Sequence, residues 1–157
     1  MLPSHSNFSG KIHGGFILSL MDKAAFASAS KFSGQYCVTA SVNRVDFLNP
    51  IEVGELVTLK AKVNYVGNTS MVVGIRVISQ NIQTGEEKHC NSSYFSMVAK
   101  DENGHSTKVP GLIISNQEDL NTYAPTATNT AGTFRLDTGN EIRAAIQGKD
   151  YIFVATD

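Results

Sequence analysis

One long apolar helical run, followed by four alternating runs joined by short turns, constrains this chain more than any other feature. From Gly14 to about Ser33 no proline intervenes. Phe16, Leu20, Ala24 and Ala27 recur at helical spacing, and Ile17, Met21 and Ala25 widen the apolar surface around most of the cylinder. A helix that is apolar nearly all round belongs in an interior. It is expected to stop at Phe32-Ser33-Gly34, where glycine can take the left-handed backbone of a C-terminal cap.

After Gly34 the texture changes. Residues 36–48, YCVTASVNRVDFL, are β-branched, aromatic and alternating, and read as a strand. Asn49-Pro50 and Gly54 then mark turns. In residues 56–66, Val57, Leu59, Ala61, Val63 and Tyr65 alternate with Thr58, Lys60, Lys62 and Asn64, which predicts a strand with one wet face. Residues 71–82 and 88–100 are two further strands, set off by the turns GNTS (67–70), QTGEE (83–87) and DENG (101–104). Short connections favour antiparallel neighbours. One apolar helix plus a long antiparallel sheet has an economical solution: an α+β fold with the helix central and the sheet wrapped around it.

From Ile113 onward the pattern weakens. Residues 115–132 are polar and rich in Thr and Asn, as in a linker. Beyond them a short strand, a helical turn around Glu141 to Ile146 and a strand at Tyr151 to Ala155 are expected. The division is therefore a domain over residues 1–112 and a C-terminal extension over 113–157, partly disordered or packed on the domain.

The balance of 13 Lys and Arg against 14 Asp and Glu gives a net charge of −1, which does not suit a general nucleic-acid or membrane-surface binder. Cys37 and Cys90 lie far apart and make neither a zinc framework nor a disulfide scaffold, as expected of buried thiols in a reducing cytoplasm. The opening MLPSHSNFSG has no basic region and no early apolar run, so no signal peptide is expected. Asp22 and Lys23 break the apolar stretch Ile12 to Ala29, so no membrane span is expected.

The awkward residue is Asp22, a carboxylate in an apolar helix, costly unless paired or used. Seven residues separate it from Gly15, about two turns, so the two share a face. Gly14 and Gly15 open the helix, where free N–H groups and a partial positive charge can hold a carbonyl or thioester oxygen. An acid about 10 Å along the helix from those donors can address a water or a thioester carbon between them. Read alone, the glycines serve close packing as well as an oxyanion hole, and a carboxylate such as Asp22 can equally sit in a structural ion pair. Asn7 offers an amide to a carbonyl or a water, or a simple turn. His13 is a possible acid–base group, although Asp22 already supplies a base. His5, His89 and His105 have no metal-ligand spacing with it, so no metal is expected. Gly67, Thr69 and Ser70 read alone as a hairpin turn that can offer donors to an anion.

Together these residues resemble the signature of the hotdog-fold acyl-CoA thioesterases, in the branch of short bacterial acyl-CoA thioesterases and cytosolic acyl-CoA hydrolases. Pro3, Asn7, Gly10, Gly14, Gly15, Met21 and Asp22 carry it in LPSHSNFSGKIHGGFILSLMD. VDFLNPIEVGELV, VGNTSMVV and FSMVAKDENGHSTKVPGL are similar as well, so the likeness spans about residues 2–112. It implies a helix wrapped by an antiparallel sheet, dimerisation by joining two sheets, commonly a trimer of dimers, and hydrolysis of acyl-CoA to a free acid and CoA. It implies Asp22 as general base or nucleophile, Asn7 of the partner protomer positioning water or substrate, and Gly14 and Gly15 at the oxyanion end. Gly67, Thr69 and Ser70 would line the CoA groove. CoA is then part of the substrate and no cofactor is implied; neither a nucleic-acid nor a membrane partner is implied. His13 inherits no role. The family's strand ahead of the Pro is not in this sequence, and the C-terminal segment is a candidate replacement. Two other readings stay open: a hotdog dehydratase or hydratase using His13, whose Pro-Gly context is absent here, and an acyl-CoA-binding module without turnover.

Overall fold

The computed structural model describes residues 1–111 and, beyond them, the backbone of residues 128–130, 133–135, 141–142 and 151–154. Among the described residues a single α-helix, α1 (Gly14–Ser33), follows a short 3-10 turn at Pro3–His5. Gly34 ends it at φ 68°, a left-handed backbone that glycine adopts without a Cβ clash. Strands β1 (Tyr36–Val42), β2 (Asp46–Phe47), β3 (Leu56–Val66), β4 (Ser70–Gln80) and β5 (Glu87–Lys100) follow. They form an antiparallel sheet in the order β1-β5-β4-β3, with β2 also on β5. The sheet closes on α1, which packs against β1, β3, β4 and β5. Among the described residues no helix is long and apolar enough to cross a membrane.

The core lies between helix and sheet. Ile17, Met21, Ala24, Ala25 and Ala29 of α1 meet Val57, Leu59, Ala61, Met71, Val73, Ile75, Val77, Phe95, Met97 and Ala99 from alternate strand positions. The expectation of a helix buried nearly all round is corrected: Gly15, Ser19, Asp22, Lys23 and Phe26 are exposed. Small residues and one acid dilute that side, and the sheet covers only the other.

Two strand expectations also change. The run 36–48 is not continuous, because the chain leaves the ladder at Asn43–Val45 after a bulge between Thr39 and Ser41. In β3 the alternation breaks near Asn64, where a bulge lies between Val63 and Tyr65. Val66 rather than Tyr65 is therefore buried, and Asn64 Oδ1 accepts from Gly74 N–H at 3.1 Å. A third irregularity, opposite Val77 and Ile78, makes Cys90 the extra residue of β5 and turns both Cys90 and Asn91 inward.

Further along the chain, β6 (Thr128–Thr130), β7 (Thr133–Arg135) and β8 (Glu141–Ile142) form a three-stranded sheet. β9 (Tyr151–Val154) pairs antiparallel with β3, from Thr58 opposite Val154 to Ala61 opposite Tyr151. Glu141 and Ile142 are strand rather than the expected helical turn, and the rest of that turn lies outside the described residues, as does the linker at 115–127.

Candidate active site

The exposed residues Gly15, Ser19, Asp22 and Phe26 are spaced four, three and four apart, so they line up as one stripe along α1. Asp22 is solvent-facing, not an acid trapped in a core. Thr39 of β1 reaches it: Thr39 Oγ1 donates to Asp22 Oδ1 at 2.6 Å. Thr39 lies two residues beyond buried Cys37, so strand alternation turns it toward the helix, and it sits opposite Met97 in the ladder. Asp22 Oδ2 makes no hydrogen bond among the described residues. The carboxylate is thus held by one oxygen and presented by the other. Thr39 was not singled out from sequence. The alternation that turns it inward is visible there, but its partner lies across the fold.

Asn7 forms the turn that its local sequence suggests. Its Oδ1 accepts from Ser9 N–H at 2.9 Å and Lys11 N–H at 3.1 Å. That fixes the amide and leaves its NH2 group available. Lys11 anchors the loop through an ion pair with Glu52. Within one chain Asn7 makes no hydrogen bond to Asp22.

At the start of α1, His13 is the N-cap residue. Its Nδ1 accepts from Gly15 N–H at 3.1 Å. The Gly15 donor expected at an oxyanion hole is therefore engaged, and a substrate oxygen would have to displace the imidazole. The N–H of Gly14 has no partner among the described residues. The ring of Phe47 covers this glycine so closely that a Cβ would stand 3.0 Å from it. His13 is committed at Nδ1, which weakens the hydratase reading built on it.

Gly67, Thr69 and Ser70 form the β3–β4 turn. Gly67 N–H donates to Ser70 O at 2.7 Å, and Thr69 O accepts from Ala99 N–H at 2.9 Å. Main-chain bonds thus hold the turn on the end of β5, and no hydrogen bond among the described residues joins it to Asp22. Among the described residues no three His, Cys, Asp or Glu side chains are placed to hold a metal.

Residues 9–86 match the family model of the thioesterase superfamily. Protein VdlD of Helicobacter pylori is 43% identical over 123 residues, covering 78% of this chain and 70% of that protein. The crystal structure of an apo-hexameric acyl-CoA thioesterase superposes with a TM-score of 0.75 at 37% identity, over 78% of this chain and 79% of that one. An acyl-CoA hydrolase from Staphylococcus aureus, solved with butyryl coenzyme A, coenzyme A and coenzyme A disulfide, superposes with a TM-score of 0.74 at 30% identity, over 80% of this chain and 76% of that one. Three variants of the S. aureus enzyme, also solved, replace an Asn, an Asp and a Thr by Ala; the Asp follows the Asn by 15 positions and the Thr follows the Asp by 17. Asn7, Asp22 and Thr39 have the same two separations. In sequence and in fold, the chain belongs to the thioesterase superfamily, among its hotdog-fold acyl-CoA thioesterases.

Proposed function

We propose that the chain hydrolyses acyl-CoA thioesters, releasing a carboxylic acid and CoA, with Asp22 as the acting carboxylate. The observation that carries this reading is the exposed Asp22, oriented by Thr39 and two helical turns from the N-terminal N–H groups of α1. As general base, Asp22 Oδ2 takes a proton from water while the water oxygen attacks the thioester carbon. The negative charge on the carbonyl oxygen is met by the helix N-terminus at Gly14 and Gly15. The C–S bond then breaks and the thiolate receives the proton. As nucleophile, Asp22 would form a mixed anhydride that water then opens. When water opens the anhydride at the Asp22 carbonyl carbon, a single turnover in 18O-water places label in Asp22, which the general-base route never does. Neither route calls for a cofactor, since CoA enters as part of the substrate.

Asn7 sits on a separate loop and does not meet Asp22 within the chain, which favours an active site shared between protomers. One edge of β1 carries no partner strand among the described residues, and Tyr36 and Val42 are exposed on that strand. Two protomers joined along this edge give the dimer, and dimers assemble into a trimer of dimers. The turn at Gly67, Thr69 and Ser70 contributes to the CoA groove. Residues 1–112 are the catalytic domain and 113–157 an extension. The thiols of Cys37 and Cys90, buried and unbridged, suit a cytoplasmic setting.

Thiol release measured over an acyl-CoA panel tests the activity, with Asp22→Ala beside the parent chain. Hydrolysis at the parent rate in a folded Asp22→Ala protein would overturn the mechanism. Mixing inactive Asn7→Ala with inactive Asp22→Ala tests the shared site. Return of part of the activity is expected, and none returns if both residues must come from one chain.

A further inference from the structure

Beside the first turn of α1 lies a cavity of about 290 Å³ that Asp22 does not line. Ile12, Ile17, Phe47 and Ile51 supply its apolar walls, Gly14 stands at its helix end, and Asn91 faces it from β5. Its size is near the lower bound of ligand cavities, about 300 Å³, so it suits a small group.

Asn91 is the unusual member, with a side-chain amide in a residue that is 1% exposed. Two features of β5 put it there. Alternation back from Ala99, Met97, Phe95 and Ser93 brings Asn91 to the inward face, and the bulge at Cys90 interrupts the ladder directly beside it. The Nδ2 group of Asn91 points to Asp46 O at 3.4 Å. That carbonyl fixes the amide's orientation, because the reverse one would set two acceptors against each other. The Oδ1 atom therefore faces the cavity side and makes no hydrogen bond among the described residues. Unpaired within the chain, this acceptor is free to take a hydrogen bond from a group held in the cavity. The other amide of the cavity, Asn49, is committed, donating to His89 O at 2.8 Å.

On the reading that the chain hydrolyses acyl-CoA, we propose that this cavity takes the acyl group, and that Asn91 makes it select short acyl groups bearing a hydroxyl. The hydrocarbon part lies along Ile12, Ile17 and Ile51. The carbonyl end points to the helix terminus at Gly14. The hydroxyl donates to Asn91 Oδ1. A keto group, an acceptor only, does not meet that need. A plain alkyl chain leaves the acceptor unpaired and displaces any water that could pair it.

The test compares kcat/KM for 3-hydroxybutyryl-CoA, butyryl-CoA and octanoyl-CoA. In the parent chain 3-hydroxybutyryl-CoA is expected to exceed butyryl-CoA by about tenfold, the discrimination of one buried hydrogen bond. Octanoyl-CoA is expected to be the poorest of the three. Asn91→Leu, similar in volume, is expected to reverse the first preference. The parent ratio alone decides if that variant does not fold. Equal or better use of butyryl-CoA by the parent overturns the proposal, as does an unchanged ratio in folded Asn91→Leu. Absence of turnover on all three substrates overturns the hydrolase reading itself, a different result from turnover without preference.

Discussion

Along α1, Ile17, Met21, Ala24, Ala25 and Ala29 face the sheet and are buried, whereas Gly15, Ser19, Asp22 and Phe26 form an exposed stripe on another side. Both faces are written in one apolar-looking run of sequence. The closed face fills space between strands and has few ways to vary. The open face is narrow, small at Gly15 and Ser19, and carries one charge that Thr39 orients. Met21 and Asp22 are neighbours in the chain yet differ in setting, Met21 in the core and Asp22 on the face where we propose the chemistry. Substitutions at these two positions should therefore separate stability from activity.

The largest effect is expected at Asp22. Asp22→Ala should lower kcat/KM for acyl-CoA about a thousandfold, the scale of a lost general base, while the melting temperature hardly moves because the residue is exposed. A large fall in melting temperature would show that the open stripe also holds the fold. The reverse pattern is expected one residue earlier. Met21→Ala removes a side chain that is 0% exposed and should destabilise by about 2–5 kcal/mol in chemical denaturation. The protein that remains folded should hydrolyse at close to the parent rate.

How far this division is visible in the sequence depends on the range of the interaction involved. The helix, its glycine stop and the long strands come from local periodicity, and the structure has them nearly at the expected bounds. The side of α1 that stays open does not. Phe16, Leu20 and Ala27 repeat as regularly as the buried residues, and only the tertiary position of the sheet separates them. Bulges are similarly hidden. The one at Asn64 exchanges Tyr65 for Val66 in the core, and the one at Cys90 leaves two consecutive residues facing inward. In the site, Asp22 and Asn7 stand out as polar residues in a marked stretch, whereas Thr39 is an ordinary strand threonine until the strand is laid beside the helix. The engagement of Gly15 by His13 is local, two residues apart, and N-cap preferences favour Ser, Thr, Asp and Asn over His, so sequence gives it little weight.

A smaller effect sharpens the role of the open stripe. Thr39→Val keeps the shape and β-branching of the side chain but removes the donor to Asp22 Oδ1. The carboxylate then loses its fixed orientation, and kcat should fall about tenfold, the value of one net hydrogen bond, with KM little changed. Thr39→Ser should recover most of the loss. Equal rates in all three proteins would mean that Asp22 needs no positioning from β1.

The smallest effect lies off the helix, at the ion pair between Lys88 on β5 and Glu55 just before β3, with Nζ and Oε1 2.8 Å apart. Burial alone would push the Glu55 carboxyl up, but hydrogen bonds from Lys88, Glu52 N–H and Ser79, with the Lys88 charge, outweigh it and hold it below the ordinary 4.5. Lys88 is held above the ordinary 10.5: its burial acts downward, and the hydrogen bond and charge of Glu55 overcome it. The two limbs follow by linkage. Glu55 contributes stability that is full above about pH 4.5 and is lost as pH falls through its lowered folded value. Lys88 contributes stability that is full below about pH 10.5 and is lost as pH rises through its raised folded value. Thermal melts across pH should therefore show a plateau between those limits. Lys88→Met should lower the plateau by about 1 kcal/mol, remove this pair's alkaline limb and start the acid limb at higher pH. The last shift follows because the burial of Glu55 persists after its charge partner is gone. Hydrolysis at neutral pH should not change, since neither side chain touches the open stripe of α1. A plateau of unchanged height would show that desolvation cancels the pair, and a fall in hydrolysis rate would show that the frame and the stripe are coupled after all.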